Sequence, residues 1–400
     1  MKSQDTHKLR GPRVFVGMSG GVDSSVSAAL LKDAGYDVTG VFIKVWQPDW
    51  IECTWKDERR EAMRAAAHLG IPFVTLDLVQ EYKIEVIDYM IAEYRAGRTP
   101  NPDVMCNREV KFGAFWRWAE KQGADFVATG HYARIIEEQP TPTFDEGHFA
   151  SRSDGENSAR LARRDARPEE NVGVGSFKLL AGVDTNKDQS YFLWTLNAND
   201  LKHILFPVGH LTKPEVRVLA RKYKLPNADK KDSQGLCFIG KVDIKDFLSR
   251  YIDTKPGMVL NEMREVIGSH TGSLLLTIGE RHGFTITKKT PHDAPYYVIS
   301  KDTVKNTVTV ANHSRLADNT IHTKQQVTLV RVNWVSTIPA KGDALQARTR
   351  YRQELQNIKI LSADSELATI EFQTAQETIT PGQSLVIYSK DETIGGGIIE

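Results

Sequence analysis

Val14-Phe-Val-Gly-Met-Ser-Gly-Gly-Val-Asp-Ser-Ser25 is the stretch on which the reading of this chain turns. Three apolar residues run into a cluster of glycines and serines, and helix-forming sequence follows at once. Strand, tight loop and helix in that order aim the backbone N–H groups of the helix start at an anion. Glycine lets the main chain approach phosphates closely, so Gly17, Met18, Ser19, Gly20, Gly21, Val22, Asp23 and Ser24 are the candidate nucleotide contacts. The loop lacks the lysine of the G-x-x-x-x-G-K-[ST] pattern, which argues against removal of a terminal phosphate. Asp23 is unfavourable beside bare phosphate charge; either a Mg²⁺ lies between them or its carboxylate caps the helix.

Outward from the loop, short apolar runs alternate with amphipathic stretches. Strands are predicted at 14–16, 38–44, 73–76 and 126–129, and helices at 23–34, 57–69, 83–96 and 112–122. This is an α/β pattern of the doubly wound, parallel-sheet type. In such a sheet Ile43 ends the second strand, where it meets an adenine ring or packs in the core. Gly130, in Thr129-Gly-His131, ends a later strand on the same edge and would again permit close approach to the nucleotide, with His131 turned toward substrate rather than core.

Periodicity stops over 137–176, which reads as an insertion loop with too few apolar residues to build a core. Its arginines 152, 160, 163, 164 and 167 either meet RNA phosphates or form a solvated loop with the interspersed acids. Helical sequence over 214–223 and 244–251 suggests a small central unit. From about residue 295, strand-like runs at 326–335, 345–352, 356–361, 367–372 and 384–389 suggest an all-β sandwich or small barrel. The expected domains are 1–203, 204–298 and 299–400.

Composition sets the outer limits. The chain has 400 residues, 40% hydrophobic and 26% charged, with 52 basic against 51 acidic side chains, so any nucleic-acid site must be a local basic surface. Only three cysteines occur, Cys53, Cys106 and Cys237, which excludes a disulfide framework and points to a reducing compartment. The first residues are polar and no run of about 18 apolar residues follows, so a cytoplasmic protein without a membrane segment is expected. No cysteine pair has metal-ligand spacing, and no tightly bound metal or cluster is expected.

Two cysteines sit in motif-rich segments. Thr99-Pro-Asn-Pro-Asp-Val-Met-Cys-Asn-Arg-Glu-Val-Lys-Phe112 holds two stiffening prolines and leads into a helix, and a thiol near its start beside Arg108 or Lys111 would have its thiolate favoured. Lys230-Lys-Asp-Ser-Gln-Gly-Leu-Cys-Phe-Ile-Gly240 places Cys237 after a glycine with two lysines upstream. Taken alone, each thiol is more often a small buried hydrophobe than a catalyst. Cys53 reads as a surface or structural thiol.

The Ser-Gly-Gly-x-Asp-Ser loop resembles that of the ATP pyrophosphatases, which cleave ATP between the α and β phosphates. The whole chain resembles the tRNA-specific 2-thiouridylases. That resemblance is carried by 17–24, by Asn101-Pro-Asp with Cys106, by Ala128-Thr-Gly-His-Tyr, Asn186-Lys-Asp-Gln-Ser-Tyr-Phe-Leu, Ser233-Gln-Gly-Leu-Cys-Phe-Ile-Gly, Thr349-Arg-Tyr-Arg, Thr380-Pro-Gly-Gln and Gly395-Gly-Gly-Ile-Ile-Glu. It implies ATP with Mg²⁺, adenylation of the C2 oxygen of the wobble uridine, and its displacement by sulfur.

In that reading Cys237 takes a persulfide sulfur from a donor protein, and Cys106 is the partner nucleophile that releases it or closes a disulfide. Asp103 is the candidate acid or base beside the target base, in a pocket shaped by Asn101 and Pro102. The resemblance assigns tRNA contacts to His131, Lys187, Asp188, Gln189, Arg350, Tyr351 and Gln383, and the base must leave its stack to react. The insertion at 137–176 is longer than the family pattern. Two other readings compete: an adenylating ligase that inserts nitrogen, which has no use for two thiols, and a non-catalytic, ATP-gated RNA-binding protein.

Overall fold

The computed structural model describes residues 11–51, 55–138, 176–231, 243–288, 294–312, 324–376 and 378–400. Cys53, Cys237 and the arginines of the insertion lie outside them.

The first sheet is parallel, in the order β3 (Phe73–Asp77), β2 (Asp37–Lys44), β1 (Arg13–Gly17), β4 (Phe126–Ala128) and β7 (Ile204–Leu205), counting β5 (Ala133–Glu138) and β6 (Ser176–Ala181) as a hairpin outside it. Its strands read as continuous apolar runs because both faces are covered. Val14 and Val16 point into one core with Val26, Val38 and Phe42, while Phe15 points into the other with Val41, Ile43 and Phe115. Helix α1 (Val22–Asp33) lies in the first core and the helix over 102–121 in the second, so the order of strands around β1 brings the glycine loop to the carboxyl edge of the sheet. Helix α2 (Trp55–Leu69) packs beside α1 through Ala62, Ala65 and Ala66.

Two helices carry a wide turn that a 3.6-residue period does not announce. The helix over 79–95 is π-helical at Lys83–Asp88, and that over 102–121 at Cys106–Ala114. Such i→i+5 turns recur at functional sites, and here one begins on a cysteine.

The expected boundary at 203 is corrected. Strand β7 pairs with β4 in the first sheet, and the helix Lys213–Lys222 buries Val216 and Ala220 in the α1 core, so the α/β domain continues past it. The central unit is a five-stranded sheet, β10 (Phe284–Ile286), β9 (Val266–His270), β8 (Gly257–Leu260), β12 (Thr307–Asn312) and β11 (Tyr296–Asp302), so its last strands lie beyond the expected end at 298.

The final domain is a closed antiparallel barrel. Strands β13 (Lys324–Trp334), β16 (Leu367–Gln376), β15 (Gln356–Ala363), β14 (Ala344–Arg348), β17 (Ser384–Ser389) and β18 (Glu392–Ile399) follow in that order, and β18 returns to pair with β13. Closure leaves no edge among the six. The β5–β6 hairpin joins its outside through β18, which ties the barrel to the α/β domain.

Candidate active site

The glycine loop is built as a cradle. Gly20 has φ +76°, and a Cβ there would lie 2.5 Å from the Glu58 carbonyl oxygen at the start of α2. Gly21 begins α1 with no side-chain cap, so the free N–H groups of the first turn are left for a ligand. Ser24 Oγ donates to Gly21 O at 3.2 Å and accepts from Ser19 N at 3.3 Å, and Gly21 N donates to Ser19 Oγ at 3.3 Å, which fixes both hydroxyls at the mouth. Met18 and Val22 are buried core residues, so only their main chain faces the loop.

Three residues distant in sequence clamp this cradle from outside. Asn227, 7% exposed, donates through Nδ2 to Gly20 O (3.0 Å), Gly21 O (3.1 Å) and Ser25 Oγ (3.0 Å). Lys230 reaches Gly20 O at 3.4 Å and pairs with Glu61. Lys213, at the start of its helix, places Nζ 2.7 and 2.9 Å from the two Asp23 carboxylate oxygens, and Tyr132 Oη donates to Asp23 at 2.9 Å. Asp23 therefore does not cap α1. The positive charge missing from the loop sequence arrives from residue 213, which no local pattern announces.

Gly130 makes a close approach, and the partner is protein. A Cβ there would sit 2.7 Å from Ser24 N and 2.9 Å from the Asp23 carbonyl carbon, so only glycine lets this strand end press on the start of α1. His131 departs from the expectation of a substrate-facing ring. It is 7% exposed, between Phe112 and Phe206 with centroids at 5.8 Å from each, and Nδ1 lies 2.7 Å from Thr129 Oγ1. Burial, and secondarily the Lys111 charge, hold its pKa well below the usual histidine range. Ile43 is 8% exposed and belongs to the core with Phe15 and Leu76.

The thiol segment is organised by its cap. Asn101 accepts from Val104 N at 3.4 Å with Pro102 in the first helical turn, so the helix starts at Pro102, ahead of the 112–122 expected for it, and Cys106 lies in the second turn. Cys106 is 1% exposed, in the core with Val110 and Phe112. Asp103 is half-buried on the same helical side. The contacts run from this helix through Phe112 to His131 and from Gly130 to Ser24, so one packed chain links the thiol helix to the glycine loop.

The barrel grips the segment before the cap. Gln383 Nε2 donates to Thr99 O (2.8 Å) and Pro100 O (3.0 Å), Thr99 N donates to Pro381 O (3.0 Å), and Gly382 at φ +91° leaves no space for a Cβ against Thr99. Tyr191 Oη donates to Thr349 O (3.1 Å) and Ser384 O (2.9 Å). Tyr351 packs on Phe192 at 4.7 Å and remains half-buried, while Arg350 is exposed and reaches Ile278 O at 3.3 Å.

Asp188 is enclosed by protein partners. It is 4% exposed, its Oδ1 accepts from Gly182 N and Ser190 N at 3.0 Å each, its Oδ2 accepts from Ser190 Oγ at 3.0 Å, and it pairs with buried Arg348 of the barrel. A carboxylate so enclosed is a strut between domains. Its neighbour Gln189 accepts from Tyr132 N at 3.0 Å, and Lys187 is half-buried in the turn between.

Cys237 lies in 232–242, outside the described residues; its segment leaves Lys230 beside Gly20 and rejoins the described chain at Asp243, ahead of the helix Ile244–Ser249, whose Phe247 packs on Trp46 and Trp50. Among the described residues no group of three or more His, Cys, Asp or Glu is placed to hold a metal ion, and no helix is long and apolar enough to cross a membrane.

Residues 12–241 match the family described as tRNA methyl transferase HUP domain, 245–312 the tRNA methyl transferase PRC-barrel domain, and 324–399 the aminomethyltransferase beta-barrel domain. These limits agree with the corrected domain boundaries. The tRNA-specific 2-thiouridylase MnmA of Lacticaseibacillus paracasei is 40% identical over 97% of this chain and 94% of its own length. Those of Shewanella denitrificans and Nitrosomonas europaea are 41% and 40% identical, over 98% and 97% of this chain and 96% and 98% of theirs.

Proposed function

The chain belongs to the tRNA-specific 2-thiouridylase family, and we propose that it replaces the C2 oxygen of the wobble uridine of tRNA with sulfur at the expense of ATP. The observation that carries this reading is the pairing of an uncapped, externally clamped glycine loop with a capped helix that presents Asp103 and Cys106, joined by direct packing.

In the first step the uridine C2 oxygen attacks the α-phosphorus of ATP, and pyrophosphate leaves. Gly20, Gly21, Ser19 and Ser24 hold that leaving group through main-chain N–H and hydroxyl donors. Lys213 supplies fixed positive charge at Asp23, and Asp23 is the loop carboxylate that would hold the Mg²⁺ of the nucleotide, which would neutralise phosphate charge. The terminal sulfur of a persulfide on Cys237 then attacks C2 and AMP departs. Cys106 attacks Cys237 Sγ, which releases 2-thiouridine and leaves a Cys106–Cys237 disulfide. An external thiol must reduce it by two electrons before the next turnover, and a protein donor reloads Cys237.

Asp103 handles the proton at the base, within the pocket edged by Asn101 and Pro102. His131 acts through its position, holding the thiol helix against Gly130. Lys187, Gln189, Arg350, Tyr351 and Gln383 border the path of the tRNA; of these, Gln383 acts on the pocket through Thr99 and Pro100.

The test is nucleoside mass spectrometry of unmodified tRNA after incubation with ATP, Mg²⁺ and a persulfide donor. One oxygen-to-sulfur exchange at the wobble uridine is expected, lost in Cys106→Ser and Cys237→Ser while ATP binding persists. Thiolation retained in both variants, or pyrophosphate release with no sulfur gained, overturns the assignment.

A further inference from the structure

Behind the thiol helix lies a second cavity. It is small, about 10 Å³, at the junction of the helix over 102–121 with the barrel, and its lining includes Tyr89, Arg108, Trp194, Thr195 and Arg331. Asn101, Met105 and Arg108 face it, at spacings that put them on one side of the helix. Asp103 and Cys106 fall on the other side. The cavity therefore meets the base pocket at Asn101 but includes neither Asp103 nor Cys106.

Its polar groups are mismatched to an empty space. Trp194 is 2% exposed and Thr195 8% exposed, yet among the described residues neither the indole N–H nor the threonine hydroxyl has a hydrogen-bond partner. Indole N–H and guanidinium groups only donate. Arg108 uses Nε on Glu109 at 3.2 Å, its one ion pair among the described residues, and its terminal nitrogens remain for the cavity. Arg331 holds φ +51°, in the left-handed region, where the β13–β18 register shifts between Val330 and Asn333. An irregularity of this kind re-aims a side chain, and a strained non-glycine backbone points to a function. Burial pushes the Tyr89 phenol up, with Glu93 adding to it, and Arg331, Arg98 and Arg108 all pull against it, so three cations bear on one spot.

A ligand here must accept hydrogen bonds from several sides and carry negative charge, which excludes a cation or an apolar group. The space admits about one oxygen atom at its base, with two arginines at its mouth. We infer that this cavity is an oxyanion site that seats one oxygen of a phosphate group against Trp194 and Thr195 and holds the others with Arg108 and Arg331. The phosphate is an RNA phosphodiester or a free phosphate ion. Only the first source rests on tRNA being the substrate.

Crystals of the full chain soaked in sodium tungstate, a tetrahedral oxyanion with anomalous signal, locate the site. A peak between Arg108 and Arg331 is expected, with a peak at the glycine loop as internal control. Affinity for unmodified tRNA is then measured against salt for the native chain and for Arg331→Gln, with Arg331→Lys as the charge-preserving companion. With the peak present, a slope of log affinity against log salt reduced by about one in Arg331→Gln identifies an RNA phosphate. With the peak present and an unchanged slope, the site takes a free oxyanion. A peak at the loop and none in the cavity overturns the inference whatever the slope, because the cavity then holds only water.

Discussion

The Asp188–Arg348 pair gives the sharpest stability test. Arg348 lies under the barrel wall at 9% exposure, donating to Tyr388 Oη through Nη2 (2.9 Å) and Nε (3.1 Å) and pairing with Asp188 of the α/β domain. Asp188→Ala strands that guanidinium beside Tyr388, whose phenol is itself pushed up to about 12 by burial. Breaking a buried pair from one side costs about 3 to 5 kcal/mol, a large fraction of the roughly 5 to 15 kcal/mol by which domains are stable. Arg348→Met should cost less, near the lower end, because Asp188 keeps its three donors from Gly182 and Ser190.

The double variant removes both charges. Its loss should fall short of the sum of the singles by about 2 to 3 kcal/mol, since no stranded charge remains. The assay is urea unfolding of all four proteins, followed by far-UV signal and by protease cutting between the α/β domain and the barrel, since several domains need not unfold as one. Early release of the barrel in the single variants is expected. Unchanged midpoints with a loss of tRNA affinity alone would refute the strut and return Asp188 to the RNA surface.

Two further outcomes follow from buried polar groups. Asn227→Ala removes the two N–H donors that three acceptors of the glycine loop share, so ATP affinity by calorimetry should fall about 30-fold, the equivalent of about 2 kcal/mol; an unchanged affinity would show that the loop holds its own shape. His131 has a folded pKa far below the ordinary value, so below about pH 6.5 the unfolded chain gains a proton that the folded chain refuses. Its contribution is constant above that pH, and stability falls as pH drops through the window below it. In His131→Gln the urea midpoint should lose that part of its acid dependence, and a profile parallel to the native one would place the proton elsewhere.

How much of this was legible in the sequence depended on whether a feature is local. The first four strands were readable because burial on both faces makes them continuous apolar runs, and the glycine loop because its geometry needs glycine at 20. Lys213 and Asn227 were not, since each acts across roughly 190 to 210 residues of chain and has no motif of its own, and Lys230 was legible only as a lysine upstream of Cys237, not as a partner of Gly20 and Glu61. Strand β18 hid behind Gly395-Gly-Gly, which reads as a breaker. In the closed barrel those glycines are required: a Cβ on Gly395 would meet Asn333 O at 2.3 Å, on Gly396 Leu385 O at 2.6 Å, and on Gly397 the Leu329 side chain at 2.8 Å. The motif resemblance assigned tRNA contacts to His131 and Asp188, and sequence blocks do not separate a residue that touches RNA from one that holds its neighbour; the structure buries both among protein partners.

That distinction changes what the barrel is for. Were it only an RNA-binding appendage, its contacts with the α/β domain would be surface pairs worth little. Instead Gln383 and Pro381 bind the main chain at Thr99 and Pro100, immediately before the Asn101 cap that sets where the thiol helix begins. Tyr191, buried at 1% exposure and bonded to two barrel carbonyls, lies within reach of the Asn101 side chain from the other side. A shift of the barrel therefore moves the cap, and with it the turn that carries Asp103 and Cys106. A nucleophile must be held to a fraction of an ångström to react efficiently. The C-terminal domain thus fixes the turn proposed as the reaction centre, although Thr380-Pro-Gly-Gln383 supplies no reacting atom to it.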